Sequence, residues 1–391
     1  MIGRKQIVIL GCLLMIGLAG LCGCGSPSSD SMERVGTEAD HAADVPGGLT
    51  YESSMELQYA KNFSVDDYEG GYKILKTMDG TQILVVPEEK EVPDGISKDV
   101  VVVKQPVKNL YVVSSSIMDI FSKLDAMDTI RLSSQKEEDW YVQDAKDAME
   151  RGDILYAGKY SKPDYELIVS ENCSLAIENT MITHSPEVSE MLADFDIPTM
   201  IEYSSYESHP LGRVEWVKFF GALIGKDELA QRIFNEEVRL VDEVTSVEKT
   251  DKTVAFFYVT SNGLIQVRSS SDYVPKMINL AGGNYIPTNI GDPDSKRSTV
   301  SMQIEDFYDQ AKDADFIIYN SSIDGGIGSV QELLDKCAVL KDFKAVKEGN
   351  VWCTTNDMYQ QSMSIGYLIH DMHAMLQGKD QDEMTYLFHV E

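Results

Sequence analysis

The longest helical pattern in the chain lies near its middle, at residues 227–247, where the sequence reads DELAQRIFNEEVRLVDEVTSV. Apolar side chains recur there at close to helical spacing, at Leu229, Ile233, Val238, Val241 and Val244. Asp227 follows a glycine-containing stop and is expected to cap this helix. At 1.5 Å per residue the helix is roughly 30 Å long, about the width of a small domain. The spacing therefore predicts one long rod between the two halves of the chain.

Before the rod, short apolar runs alternate with amphipathic segments. The predicted strands are VVVKQP, which opens the lobe at Val100, then NLYVVSS, DTIRLSS, SLAIENTMI and IPTMIEYSS. The predicted helices are IMDIFSKLDAM, AKDAMERGDI and SPEVSEMLADFD, the last with Ser185 as its cap. Strands that alternate with helices predict a parallel sheet covered on both faces.

After the rod the same pattern returns. The predicted strands are TVAFFYV, LIQVRS, DFIIYNSS and NVWCTT, and the predicted helices are VPKMINLAGG, QIEDFYDQAKDA, SVQELLDKC and residues 362–376. Each half contains a strand, a loop and a serine-capped acidic helix, in SLAIENTMITHSPEVSEML and in DFIIYNSSIDGGIGSVQELL. The predicted fold is therefore α/β, with two three-layer αβα lobes joined by one long backbone α-helix and a ligand cleft between the lobes.

This reading divides the chain into six segments. They are a lipoprotein signal peptide at 1–23, a flexible linker at 24–50, an N-terminal extension with a β-hairpin at 51–98, an N-terminal lobe at 99–210, a connecting segment with the backbone helix at 211–250, and a C-terminal lobe at 251–391. The hairpin is indicated by Asp79-Gly80 between two strand-like runs.

The first residues have the pattern of an export signal. Arg4 and Lys5 precede a short apolar run, and Leu21-Cys22-Gly23-Cys24 resembles a bacterial lipobox. The lipobox predicts lipidation at Cys24 and an anchor on the outer face of the bacterial cytoplasmic membrane. The alternative is an ordinary signal peptide with an incidental cysteine.

Charge and cysteine content exclude several classes of function. The chain has 64 acidic and 34 basic side chains, a formal net charge of −30, which disfavours nucleic acid and anionic lipid as direct partners. Beyond the signal region, three cysteines remain, Cys173, Cys337 and Cys353, and single thiols are favoured over a Cys337–Cys353 bridge. The sequence has no P-loop, no HExxH, no nucleophile elbow and no dinucleotide glycine signature, so it predicts no enzyme and no cofactor.

The loops at the expected cleft edge are rich in tyrosine, serine and methionine. The first lobe offers Ser114, Ser115, Ser116, Tyr160, Thr180, Met181, Tyr203, Tyr206 and His209, and the second offers Tyr258, Arg268, Tyr273, Tyr359 and Gln360. Flat amphipathic side chains with scattered hydroxyls suit a bulky, partly apolar ligand such as a metal chelate or macrocycle. Packing is the alternative role for any single tyrosine, and a surface salt bridge is the alternative to anion pairing for Arg268.

Histidines offer a different kind of site. His184 and His209 follow predicted strands, and His370 and His373 are three residues apart on the final helix. Such imidazoles, combined with carboxylates, would suit zinc or manganese. Polar cleft-lining or capping is the alternative for the first two residues, and a helix surface is the alternative for the last two.

The order of these segments resembles the substrate-binding lipoproteins of ABC importers, in the class whose lobes are joined by a single helix and which serves iron–siderophore, haem and cobalamin uptake. The likeness covers about 100–376 and is carried by VKNLYVVSSSIMDIFSKLDAMDTI, GKYSKPDYELIVSENCSLAIENT, SPEVSEML, ALIGKDELAQRIFNEEV, INLAGGNYI, QIEDFYDQAKDADFIIYN and KEGNVW. YESHPLGRVEW looks like a subgroup feature.

The resemblance implies a monomeric receptor that hands an iron complex or corrinoid to an ABC permease and its ATPase. It also implies one acidic permease-docking residue on each lobe, Glu187 on the first and Glu332, or Asp324, on the second. Helix capping is the alternative role for both glutamates. Other readings of the same fold are a receptor for free zinc or manganese, a lipid-anchored enzyme, and an adhesion or sensor module.

Overall fold

The computed structural model describes residues 46–391, apart from 293, 294, 296, 380, 381 and 383. The predicted signal peptide, Cys24 and most of the linker lie outside the described residues. Across the described part of the chain, no helix is both long enough and apolar enough to cross a membrane.

The first sheet contains five strands in chain order, β1 to β5. They are Tyr51–Ser54, Phe63–Tyr68, Tyr72–Thr77, Gln82–Val86 and Val100–Lys104. The expected hairpin around Asp79-Gly80 is present, with β3 and β4 paired antiparallel so that Leu75 faces Ile83. One prediction is wrong here: β5 does not open the first lobe but runs parallel to β4 in this sheet. A run of valines indicates a buried strand but carries no information about which strand it will join.

The second sheet is entirely parallel, with strand order β12-β11-β6-β7-β8. Its strands are β6 Leu110–Val112, β7 Ile130–Ser133, β8 Leu155–Tyr156, β11 Leu175–Glu178 and β12 Thr199–Ile201, and a small hairpin of β9 Gly158–Lys159 and β10 Lys162–Pro163 lies beside it. Its helices are α1 Ser115–Lys123, α2 Gln143–Glu150, α3 Tyr165–Ser170 and α4 Pro186–Asp194. Along β11, Ile177 joins one apolar cluster and Ala176 another, so both faces are buried, as the continuous apolar runs predict.

Two helices link the second sheet to the third. Helix α5 spans Pro210–Ile224 and ends at Gly225, whose φ is 75°, and helix α6 spans Asp227–Thr245. Helix α6 is the predicted rod, but Lys226 occupies the cap position and Asp227 lies in the first turn, where it pairs with Lys73 at 3.1 Å. The cap prediction was therefore wrong by one position, and the Asp227 carboxylate instead pairs with Lys73 on β3.

The third sheet is mixed, with strand order β16-β14-β13-β17-β18-β19 and β15 beside the start of β13. Its strands are β13 Thr253–Val259, β14 Ile265–Arg268, β15 Asn284–Ile286, β16 Thr299–Met302, β17 Phe316–Tyr319, β18 Val351–Thr354 and β19 Leu387–His389. The helices of this lobe are α7 Tyr273–Leu280, α8 Ile304–Ala311, α9 Val330–Lys336, α10 Lys344–Glu348 and α11 Ile365–Leu376. Strands β15, β13, β17 and β18 run parallel. Strand β14 is antiparallel to β13 because only a tight turn at Gly263, with φ of 81°, separates them.

One apolar cluster is continuous through all three sheets. It contains Val85 from β4, Ile177 from β11 and Ile318 from β17, together with most of α5 and the inner faces of α6 and α11. Every strand of the second sheet precedes α5, and every strand of the third follows α6. The protein therefore has two α/β lobes whose chain connection runs through a helical layer that is itself core.

Candidate ligand-binding cleft

A cavity of about 210 Å³ lies between the two lobes, and we call it the aromatic chamber. Its polar wall on the first lobe comes from Ser115 and Ser116 at the start of α1 and from Ser204 and Ser205 after β12. These residues follow the carboxyl ends of parallel strands, where open α/β sheets bind ligands. The other lining residues are Ile120, Arg213, Tyr273, Met358, Tyr359, Gln361, Ser362, Ser364, Ile365, Leu368 and Tyr386.

Arg213 on α5 supplies a positive charge to this cavity. Its Nε donates to the Glu207 carbonyl at 3.2 Å and its Nη2 donates to the Ser205 carbonyl at 2.5 Å. Its guanidinium carbon lies 3.7 Å from the centre of the Tyr273 ring, a cation–π contact. Among the described residues no carboxylate forms an ion pair with Arg213 within 4.0 Å, although the Glu207 carboxylate interacts electrostatically with it.

Behind the aromatic wall lies a buried polar network around Arg268, which is 7% exposed. Its guanidinium donates to both carboxylate oxygens of Asp272, at 2.8 and 2.9 Å, and to the Tyr359 hydroxyl at 3.2 Å. The same hydroxyl accepts from Asn320 Nδ2 at 2.9 Å. Burial raises the pKa of Tyr273, so its hydroxyl stays neutral. The network fixes the orientation of Tyr359 at the chamber wall.

A segment of the second lobe at residues 358–366 lines the chamber and is bonded to the first lobe and α6. Gln360 donates to the Asp139 carbonyl and accepts from the Tyr141 amide, each at 2.8 Å. Ser362 Oγ donates to the Ser116 carbonyl at 2.5 Å. These bonds hold the two lobes close together at the chamber.

Two buried carboxylates accept hydrogen bonds from backbone amides of the same segment. Asp119 on α1 accepts from the Met363 amide at 2.8 Å, and Glu237 on α6 accepts from the Gly366 amide at 2.7 Å. Burial raises the pKa of Asp119 to about 6 and that of Glu237 to about 7. The start of α11 is therefore capped by side chains from two other elements.

The structure brings together only part of the predicted site. Ser115, Ser116, Tyr273 and Tyr359 line the aromatic chamber, and Arg268 lies behind it. Other candidates lie outside this chamber: Tyr160 packs in the first lobe, Met181 is 46% exposed, and Tyr258 packs on β13. Tyr203 and Tyr206 pack against the shared core with their ring centres 5.6 Å apart, and Tyr206 also lines a neighbouring cavity. Ser114 is buried and donates to Glu202 at 2.6 Å, and Met181 and Thr180 lie in a short 3₁₀ turn.

The histidines have local partners. His209 accepts from the Leu211 amide through Nδ1 at 3.2 Å, which caps α5, and its ring stacks on Tyr59 at 4.5 Å. Burial lowers the pKa of His209 to about 4. His373 contacts the Ala281 carbonyl at 2.9 Å, and His184 is exposed. Within the described residues no three His, Cys, Asp or Glu side chains are grouped so as to hold a metal ion, and the three cysteines are free thiols, as expected.

The three acidic docking candidates differ in their surroundings. Glu187 is exposed in the first turn of α4. The Glu332 carboxylate accepts from the Gly328 amide at 2.7 Å, which is a capping role. Asp324 accepts from Tyr319 at 2.6 Å and pairs with Lys336 at 2.8 Å. Glu187 is therefore the candidate with the fewest competing contacts.

Sequence reasoning missed Arg213, which lies in the YESHPLGRVEW segment. The structure explains this segment: the Glu207 carboxylate accepts from the amides of Lys61 and Asn62, and the Glu215 carboxylate accepts from those of Gln58, Tyr59 and Ala60. The segment thereby joins the first sheet to α5. The available signal was a His-Pro helix start followed by an arginine in the first turn, which would have placed Arg213 near the cleft.

This fold is similar to that of solved periplasmic binding proteins. A periplasmic binding protein from Veillonella parvula matches with a TM-score of 0.56 at 15% identity, over 74% of this chain and 98% of that one. The periplasmic haem-binding protein HutB of Vibrio cholerae matches with a TM-score of 0.55 at 13% identity, over 67% and 97%. A possible iron-binding, periplasmic solute-binding protein from Staphylococcus epidermidis matches with a TM-score of 0.53 at 16% identity, over 70% and 99%.

By sequence, the chain is similar to two uncharacterized lipoproteins of Methanocaldococcus jannaschii. Both are 23% identical to it; one alignment covers 91% of this chain and 89% of the relative, and the other covers 99% and 100%. No protein-family profile matches the chain. These similarities establish the fold, and the ligand has to be argued from the cleft.

Proposed function

We propose that the protein is the extracytoplasmic substrate-binding component of an ABC importer, which captures an iron complex or corrinoid and delivers it to a membrane permease driven by an ATPase. The observation that supports this proposal most strongly is the chamber between the lobes, where the Arg213 guanidinium lies against the Tyr273 ring. A cation on an aromatic wall suits a ligand with an anionic group and a flat or apolar body.

The volume of the chamber is smaller than that of a typical ligand pocket. Pockets for drug-sized ligands are about 300–1,000 Å³, and the chamber is about 210 Å³. A ferric siderophore, haem or a corrinoid would therefore each require the cleft to widen, which would strain the bonds of Gln360 and Ser362 to the first lobe.

Binding measurements test this function directly. The purified protein is titrated with ferric siderophores, haem, cobalamin, Zn²⁺ and Mn²⁺ while Trp and Tyr fluorescence is followed. We expect saturable binding of a ferric chelate that weakens about 10-fold or more in Arg213→Gln, because a charge-assisted contact contributes about 1.5–3 kcal/mol. Binding of Zn²⁺ or Mn²⁺ alone, with no response to any chelate, would contradict the proposal and favour the metal receptor.

The proposal also includes where the protein is anchored and how it docks to the permease. A lipid on Cys24 would hold the protein at the outer face of the membrane, and Glu187 and Glu332 would contact the permease. Uptake of radiolabelled ferric chelate by cells should fall in Glu187→Gln while ligand affinity in vitro stays unchanged. Unchanged uptake in this variant would remove Glu187 from the docking surface.

A further inference from the structure

A second cavity, of about 240 Å³, lies beside the aromatic chamber, and we call it the polar chamber. The two cavities share Ser205 and Arg213. Ser205 and Ser208 come from the first lobe, whereas Ser271, Ser298 and Arg297 come from the second, so this cavity is also built by both lobes. Serine hydroxyls and the guanidinium groups of Arg213 and Arg297 predominate in its lining, which also contains Tyr206, Glu207 and Asp272.

The carboxylates at the polar chamber are already engaged. Asp272 accepts two hydrogen bonds from Arg268, at 2.8 and 2.9 Å. Glu207 accepts from the amides of Lys61, at 3.0 Å, and Asn62, at 2.9 Å, and from Trp216 Nε1 at 3.3 Å. Arg213 donates to the carbonyls of Glu207 and Ser205 and interacts electrostatically with the Glu207 carboxylate. Because Asp272 is paired with Arg268, the cavity keeps the guanidinium groups of Arg213 and Arg297 against the single carboxylate of Glu207, together with hydroxyl donors.

Resting on the proposed function, we propose that the polar chamber is a subsite for an oxyanion arm, a carboxylate or phosphate, of the bound chelate. Arg213 lies at the boundary, so a ligand that spans both chambers places its body beside Tyr273 and its oxyanion between Arg213 and Arg297. Guanidinium groups bind carboxylate and phosphate through two parallel hydrogen bonds, and serine hydroxyls complete the set of donors. The substrate class is thereby an anionic ferric chelate rather than a neutral one.

The test compares two ferric chelates by calorimetry on the full chain. Ferric citrate carries free carboxylates, and the ferric complex of desferrioxamine B has none. Arg297→Gln should weaken ferric citrate binding by about 10-fold or more, and should change binding of the hydroxamate complex by less than about 2-fold. Arg232→Gln, an exposed arginine on α6 with 66% side-chain exposure, is the matched control and should change neither. Equal effects of Arg297→Gln on both chelates, or no effect on either, would overturn the subsite.

Citrate and inorganic phosphate without iron separate this inference from the proposed function. If neither chelate binds the unaltered protein, and other ferric siderophores, haem and cobalamin do not bind either, the proposed function fails, yet citrate or phosphate binding that Arg297→Gln abolishes would still support the polar chamber. Stronger binding of citrate than of phosphate identifies a carboxylate arm, and the reverse identifies a phosphate arm. Binding of neither anion and of neither chelate would reject the polar chamber, whereas binding of haem or cobalamin would leave the proposed function standing.

Discussion

Glu215 joins the first sheet to α5, and its removal should be among the most damaging single changes outside the apolar core. The side chain is fully buried and accepts from the amides of Gln58, Tyr59 and Ala60 at 2.8–2.9 Å. It also pairs at 2.9 Å with Lys218, whose side chain is 3% exposed. Glu215→Ala therefore leaves three amides without their acceptor, of which that of Ala60 is buried, and leaves the buried Lys218 ammonium with only a 3.5 Å contact to the Glu56 carbonyl.

The expected cost follows from these partners. Breaking a buried ion pair by removing one member costs about 3–5 kcal/mol, and each unsatisfied buried donor adds about 1–3 kcal/mol unless water enters. Because residues 58–60 lie near the surface of the extension, water should satisfy some of the amides. We expect Glu215→Ala to lower the free energy of unfolding by about 4 kcal/mol, and Glu215→Gln, which keeps one acceptor, by about 2 kcal/mol.

Urea unfolding of the purified protein, followed by Trp fluorescence, measures this loss. The double variant Glu215→Ala with Lys218→Met should recover part of it, because the stranded ammonium is gone. Glu228→Ala is the control: its carboxylate is 96% exposed and 4.0 Å from Arg232, so it should change stability by less than about 0.5 kcal/mol. A loss below about 1 kcal/mol in Glu215→Ala, or no recovery in the double variant, would refute the reasoning.

Three further changes test other parts of the structure. Gly221→Ala places a Cβ 2.5 Å from that of Ala230, so it should force α5 and α6 apart and lower the unfolding free energy by about 1–3 kcal/mol in the same assay. Among the described residues the Glu178 carboxylate has no hydrogen-bond partner, and burial raises its pKa to about 8, from 4.5, so the folded state holds its proton to higher pH. Stability should therefore fall as pH rises from 4.5 to 8, and Glu178→Gln should remove about 3 kcal/mol or more of that fall in denaturation series at each pH. Gln360→Ala removes the acceptor of the Tyr141 amide, whose hydrogen exchange, followed by NMR, should become several-fold faster.

The first two of these changes each have a control variant, and the third has an outcome that would contradict it. Gly328→Ala adds a Cβ that meets only the Glu332 carboxylate at 3.7 Å, so it should be nearly neutral, and equal loss in both glycine variants would contradict the packing argument. Glu187→Gln, on an exposed residue of the same lobe, should leave the pH dependence unchanged; an unchanged pH profile in Glu178→Gln as well would show that Glu178 is ionised in the folded state. Unaltered exchange of Tyr141 in Gln360→Ala would mean that the lobes are not held there.

Local pattern was sufficient for most of the elements. The rod at α6, the hairpin at Asp79-Gly80 and the parallel strands of the first lobe were predictable because each depends on side chains only a few positions apart. Ser115, Ser116, Tyr273 and Tyr359 were predictable as chamber residues because they follow strands or begin helices at the expected cleft edge. Tyr258 and Tyr160 satisfy the same pattern and lie elsewhere, since a tyrosine near a strand end has the same signature whether it packs or lines a cavity.

The sequence by itself determined two α/β halves with a stiff helix between them, because helix and strand periods are properties of short segments. Only the tertiary structure decided that β5 joins the first sheet, that Glu215 binds an amide 155 residues away, and that Arg213 reaches the cleft. Those outcomes depend on which groups, far apart in the sequence, form hydrogen bonds and ion pairs with one another once water is excluded. A local sequence pattern does not show which of the possible partners will pair.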